Sequence, residues 1–206
     1  MRKRARGRDG RSHLCGAATT ANFRRIFWSY RRVLGKAAAR LFESFYGCTD
    51  PALRVVAAKM ASQWSHHERI FDQHASKMLL AVAADESAPE FSRADATLYL
   101  SEMGEEGARP YAESILQHAK NSAAQEFALR ALIRVGTRSS ESALFNALNE
   151  PILVNQFLAT YALQRIECGT SLDETQCRRR PEKVIDAWRA YTNRSLKRPP
   201  CDAVPR

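Results

Sequence analysis

The stretch EFALRALIRVG at residues 126–136 has a relative on each side: RADATLYLSEMG at residues 93–104 and FLATYALQRIE at residues 157–167. Each places an alanine four residues before a large apolar residue, with another apolar residue three positions further on. The matching triplets are Ala96, Leu100 and Met103; Ala128, Leu132 and Val135; and Ala159, Leu163 and Ile166. Ala128 follows Ala96 by 32 positions and precedes Ala159 by 31, a spacing typical of helical repeats. The alanines predict close approach of neighbouring helices, and Gly104 and Gly136 predict left-handed turns at helix ends.

The segments between these stretches repeat as well. Ala112, Ile115 and Leu116 correspond to Leu144, Ala147 and Leu148 at the same offset of 32. The repeating unit is therefore a pair of helices, and neither helix covers its own apolar stripe until a neighbouring pair packs on it. We predict an all-α fold, an α-solenoid of about four helical hairpins with capping helices at its ends.

Capping residues and prolines place the other helices. An amphipathic basic helix is predicted over 22–47, and further helices at about 51–64, 65–83, 90–103, 110–120, 122–136, 139–149, 151–167 and 181–191. The helices at 22–47 and 181–191 would cap the two ends of an array spanning 48–193. Residues 1–21 are predicted to be a disordered basic tail and residues 194–206 a proline-rich tail.

The repeated stretches resemble HEAT repeats, in particular the short phycobilisome-lyase-like kind. The segment PEKVIDAWRAY at residues 181–191 is similar to a terminal helix often found after such arrays. The resemblance covers residues 90–191 well and residues 50–83 weakly, and it implies a scaffold or adaptor that holds a partner protein on a curved helical surface. Some relatives are chromophore lyases or DNA-alkylation glycosylases, but none of their catalytic motifs matches residues of this sequence.

The net charge of +10 is unevenly distributed along the chain. Residues 1–40 contain twelve bases and one acid, residues 41–177 eleven bases and eighteen acids, and residues 178–206 nine bases and three acids. The segment charges are thus +11, −7 and +6, which argues against a basic nucleic-acid-binding domain in the body of the chain. No stretch approaches the ~18 apolar residues of a membrane-spanning helix.

Two charged groups are candidate binding surfaces. The first is a set of basic residues in the helix predicted at 22–47: Arg24, Arg25, Arg31 and Arg32. With aromatic residues between them, they are compatible with weak contact with nucleic acid or an anionic membrane, but a solvated basic face of a capping helix is the simpler interpretation. The second surrounds one inter-helix turn: Glu102, Glu105, Glu106 and Glu113. This group is a candidate patch for a basic peptide of a partner, the alternative being ordinary surface.

The five cysteines, at positions 15, 48, 168, 177 and 201, are scattered and include no C-x-x-C pair. Such a set is typical neither of a disulfide framework nor of a zinc site, so we expect reduced thiols in a cytoplasmic protein. The arginine-rich residues 1–22 resemble an organellar transit peptide. We favour a basic tail, or a start codon placed too far upstream, over an import signal.

Candidate catalytic and metal-binding residues are few. The densest cluster is His66, His67, Glu68, Asp72 and His74, but it lacks the i, i+4 histidine pair of a zinc-protease helix. A solvated helix start is the simpler interpretation. The sequence has no G-x-S-x-G, no phosphate-binding loop and no G-x-G-x-x-G. We therefore expect no catalytic residue, no metal and no cofactor.

These observations favour a non-catalytic scaffold or adaptor that binds another protein through the surface of the array. Two alternatives stay open. One is an adaptor whose basic N-terminal arm binds nucleic acid or an anionic membrane. The other is a lyase- or glycosylase-type enzyme built on the same array.

Overall fold

The chain is all-α, as the sequence predicts. The computed structural model describes residues 44–64, 69–169, 181–193 and 199–201, apart from the side chains of residues 61–64 and 69–72. These ranges contain eight α-helices and no strand. In chain order the helices are α1 (Pro51–Trp64), α2 (Arg69–Ala84), α3 (Glu90–Glu102), α4 (Arg109–His118), α5 (Ser122–Val135), α6 (Glu141–Ala147), α7 (Leu153–Cys168) and α8 (Pro181–Thr192).

Local capping explains where these helices begin. The carboxylate of Asp50 accepts a hydrogen bond from the backbone N–H of Ala52 at 2.9 Å, which starts α1. The side chain of Asn121 likewise accepts from Ala123 and Ala124 at the start of α5. The helix predicted at 139–149 is shorter, because a 3₁₀ turn at Arg138–Ser140 precedes α6. Of the helix predicted at 22–47, only residues 44–47 lie in the described part of the chain.

Two compact units make up the chain, with the division after Ser92. In the first unit, α1 packs against α2. Their buried apolar side chains are Leu53, Val55, Val56, Ala57, Ala58, Ala75, Leu79, Val82 and Ala83. Arg54 of α1 forms an ion pair at 3.5 Å with Asp85, the residue that follows α2. The pKa of Asp85 is lowered, mainly by a hydrogen bond from the Ser87 hydroxyl and also by Arg54.

The second unit begins at Arg93 and is held together by contacts between its helices. Helix α5 packs against α4 and α7, α7 packs also against α6 and α8, and α4 packs against α6. One cluster of buried residues extends from Ala94 to Trp188 through these helices. Most repeat positions identified in the sequence are buried: Ala96, Leu100, Ala112, Ile115, Leu116, Ala128, Leu132, Leu144, Ala147, Leu148, Ala159 and Leu163. The third member of each triplet, Met103, Val135 or Ile166, is only half-buried.

The glycines that follow the repeated stretches have different roles. Gly104 has a positive φ of 79°, as predicted. The same prediction is wrong for Gly136, whose φ is −63° and ψ 146°. A Cβ at this position would collide with the Leu132 carbonyl oxygen and lie 3.1 Å from the Ile166 side chain. Glycine is therefore required at residue 136 mainly because a Cβ would clash with the backbone of its own helix at Leu132, and the contact with Ile166 of α7 adds to this.

Helix α8 buries its apolar face in the core of the second unit. Val184 and Ile185 are buried, and Trp188 has no exposed surface. The Trp188 ring meets Tyr191 edge to face, with centroids 5.7 Å apart. The Arg189 guanidinium donates two hydrogen bonds, of 3.0 and 2.8 Å, to the Leu148 carbonyl oxygen at the end of α6. These contacts fix α8 to the preceding helices.

A disulfide joins Cys168, the last residue of α7, to Cys201, with the Cα atoms 5.6 Å apart. The Gln164 side chain also donates a hydrogen bond to the Cys201 carbonyl oxygen at 3.3 Å. Cys48 is disulfide-bonded as well. The expectation of reduced thiols is therefore wrong for these three residues. Because disulfides persist mainly in oxidising compartments, the bonds do not support the predicted cytoplasmic location.

We expect Trp188→Ala to lower the free energy of unfolding by about 3–5 kcal/mol, because it removes the largest fully buried side chain and leaves a cavity. Urea denaturation followed by circular dichroism measures the change. Lys183→Ala, at an exposed position of the same helix, is the control and should leave the midpoint nearly unchanged. Equal midpoints for the two variants would contradict this account of α8.

We expect Cys201→Ser to lower the free energy of unfolding by about 3–4 kcal/mol, because the bond closes a long loop in the unfolded chain. Cys168→Ser should cost a similar amount. The double variant should cost no more than either single one, since all three lose the same bond. Additive losses would show that the cysteines act separately.

Candidate functional site

A groove of about 320 Å³ crosses the exposed side of α3, α5 and α7. Five apolar or aromatic side chains, all half-buried, line it: Leu98, Ile133, Phe157, Leu158 and Tyr161. Four charged side chains, all exposed, complete the lining: Glu102, Arg130, Arg134 and Arg165. The groove therefore has an apolar floor and a charged rim, the composition of many peptide-binding surfaces.

Six of the nine lining residues occupy equivalent positions of the sequence repeat. Glu102, Arg134 and Arg165 are separated by 32 and 31 residues, the same offsets that relate the buried alanines. Leu98, Arg130 and Tyr161 form a second such row. Since both rows lie one helical turn apart on their helices, they face the same side of the layer. The repeat thus places similar positions of three helices around one groove.

Packing beneath the groove holds its floor in place. Ile133, Phe157, Leu158 and Tyr161 are packed against the buried core of the second unit. At the α7 start, the buried Asn155 amide donates to the Gln125 side-chain oxygen at 3.2 Å, and Gln125 donates to the Ala119 carbonyl at 3.0 Å. These bonds fix α7 against α5. The burial of Asn155 is a tertiary feature that no local pattern in the sequence indicates.

The arginines of the rim differ in their ion pairs. Arg130 contacts Glu126 of its own helix at 2.6 Å, and Arg134 contacts Glu102 of α3 at 3.5 Å. Both arginines and Glu102 are exposed and Glu126 is half-buried, so each pair contributes about 0–1 kcal/mol and can be exchanged for another partner. The Arg165 guanidinium has no hydrogen bond or ion pair to any residue that the structure describes. With respect to the described residues, the α7 end of the groove therefore carries a positive charge that no ion pair compensates.

Of the four predicted acidic residues, Glu102 and Glu113 have side-chain partners within the chain, and Glu105 also has an interaction there. Glu102 lies in the groove beside Arg134, while Glu113 accepts hydrogen bonds from the hydroxyls of Ser139 and Ser140 at 3.3 and 2.6 Å. Glu105 and Glu106 lie at the short 3₁₀ turn before α4. That the four acidic residues together form a patch that binds a basic peptide stays a prediction. The Glu113 carboxylate, which accepts both serine hydroxyls, is less available to a partner than the sequence suggests.

The other candidates are mostly beyond the described ranges. The predicted anion-binding group Arg24, Arg25, Arg31 and Arg32 lies outside them, as do His66, His67 and Glu68. His74 is exposed on α2. Within the described residues, no group of three or more His, Cys, Asp or Glu side chains is arranged to hold a metal ion. None of the described helices is both long and apolar enough to cross a membrane.

A pair of carboxyl groups, Glu141 and Glu167, lies near the end of α7. Burial and the neighbouring Glu167 raise the pKa of Glu141 to about 7. Arg138, 3.7 Å from Glu167, partly opposes this effect. Burial and the same two carboxylates raise the pKa of Tyr191. In the sequence, Glu167 stands at the repeat position that Gly104 and Gly136 occupy, and nothing local indicates its pairing with α6, which is a tertiary contact.

Comparison of the chain with protein-family models, with curated proteins and with solved structures finds no significant match. The HEAT-repeat resemblance therefore rests on the spacing and residue types of the repeat. The groove, built from repeat-equivalent positions, is the feature on which a function can be based.

We expect Glu141→Gln to stabilise the protein at pH 8 and to have little effect at pH 5. A carboxyl whose pKa rises on folding binds its proton more tightly in the folded state, so its stabilising contribution is present below the unfolded pKa of 4.5 and is lost as the pH rises through about 7. Glutamine is uncharged at both pH values, so the variant keeps the stability that the wild type loses as Glu141 ionises. Urea unfolding at both pH values measures the difference, with the exposed Glu182→Gln as the control. A gain of equal size at both pH values would refute the assignment.

Proposed function

We propose that this protein is a non-catalytic interaction scaffold that binds a partner protein in the groove across α3, α5 and α7. The observation that carries the proposal is the position of the groove on equivalent residues of successive repeats. A repeated surface of this kind presents side chains at regular intervals, which suits an extended or helical segment of another chain.

We propose further that the second unit is a HEAT-like α-solenoid. The contacts of α5 with α4 and α7, and of α4 with α6, support two layers of helices in which each hairpin packs on the next. The buried Trp188 and the Arg189 bonds to the Leu148 carbonyl support α8 as the helix that covers the last apolar face. Terminal helices of this kind are required because an open end of an array exposes its core.

The groove suits binding by a few anchoring contacts. Phe157 and Tyr161 are half-buried aromatic side chains that a partner would cover further, and such residues often dominate the energy of an interface. Because they pack on the core of the second unit, little side-chain entropy is lost when they bind. Among the lining residues there is no serine, cysteine or histidine, so the groove favours recognition over nucleophilic catalysis.

A photo-crosslinking amino acid at position 161 tests this proposal. We expect it to capture a discrete partner protein in cells, whereas the same amino acid at Gln117, an exposed position of α4, should not capture that partner. The captured protein, once purified, should bind the wild-type chain and bind Phe157→Ala weakly. Capture of the same protein at both positions, or none at position 161, would contradict the proposal.

A further inference from the structure

We infer that the groove binds an acidic segment of its partner protein, with carboxylates on Arg134 and Arg165 and an apolar side chain on Phe157 and Leu158. This inference rests on the proposed function and specifies the chemistry of the bound segment. It follows from the distribution of charge and apolar surface along the groove.

The charge of the rim changes sign from one end of the groove to the other. At the repeat position shared by Glu102, Arg134 and Arg165, α3 carries an acid and α5 and α7 carry arginines. Glu102 reaches Arg134 at 3.5 Å, and α5 packs against α7, so the three side chains follow one another in that order. A bound segment is therefore expected to place its carboxylates over α5 and α7.

Arg165 is the strongest single determinant of this preference. Its side chain is exposed, and its guanidinium has no ion pair with any residue in the described ranges. A guanidinium binds a carboxylate through two parallel hydrogen bonds, which gives both affinity and orientation. Arg134 and Arg130 can exchange their exposed intramolecular pairs for carboxylates of a partner at low cost.

The same groove is poorly suited to a nucleic acid. Glu102 and Glu126 lie beside the arginines, and each would repel a continuous row of phosphates. Residues 41–177 also carry eleven bases against eighteen acids, so the surrounding field disfavours a polyanion. A protein segment avoids this repulsion because its carboxylates can be few and spaced.

The test uses the full chain and a fluorescein-labelled peptide in which glutamates alternate with leucines. Fluorescence anisotropy at low ionic strength should show saturable binding that weakens as salt is added. Arg165→Glu should weaken binding about tenfold or more, and Arg165→Gln should weaken it less. Lys183→Glu makes the same change of charge at an exposed site outside the groove and should leave the affinity unchanged. Circular dichroism of each variant checks that the helices are intact.

Three outcomes would overturn the inference: equal affinity of wild type and Arg165→Glu, equal affinity for the peptide with glutamine in place of glutamate, or tighter Arg165-dependent binding of a short oligothymidylate. The last would identify the groove as a nucleic-acid site. Failure of the proposed function is distinguishable, because position 161 would then capture no partner at all. If the partner captured there binds through a neutral or basic segment, the proposed function is supported and only the inference of an acidic segment is refuted.

Discussion

Close packing of α5 on α7 is the contact on which the rest of the second unit depends. Alanines with no exposed surface lie in the shared core of these helices: Ala128 and Ala131 from α5, and Ala159 and Ala162 from α7. A larger side chain at such a position would force the helices apart or off their rotamers. Because the two helices lie side by side at short range, their outward-facing residues are close enough to form one groove.

The groove and the core are therefore two faces of the same repeat. The buried apolar residues of α3, α5 and α7 are all alanine or leucine, since close packing between the helices restricts their size. Residues at neighbouring positions of the same helices face solvent, so their identity can differ from one repeat to the next. That freedom permits glutamate at position 102 and arginine at positions 134 and 165, while the backbone around them is held by the same packing.

The far end of the unit is fixed by a different set of interactions. Trp188 fills the core next to α7, Arg189 satisfies the carbonyl group at the end of α6, and the Cys168–Cys201 disulfide attaches residues that follow α8 to the end of α7. The Glu141 and Glu167 carboxyl groups lie in the same region and repel each other when both are ionised. Stability at this end is thus sensitive both to the redox state of the cysteines and to pH.

The sequence by itself determined the all-α class, most helix boundaries and the buried positions of the repeat, because helical periodicity and capping are local properties. Tertiary structure alone decided which distant side chains meet. It paired Cys168 with Cys201 and brought Glu141 beside Glu167. It also gave Gly136 an extended backbone in place of the expected left-handed turn. The groove itself was beyond sequence reasoning, which grouped Glu102 with its neighbours in the chain, because residues from three helices share a surface only after the helices have packed.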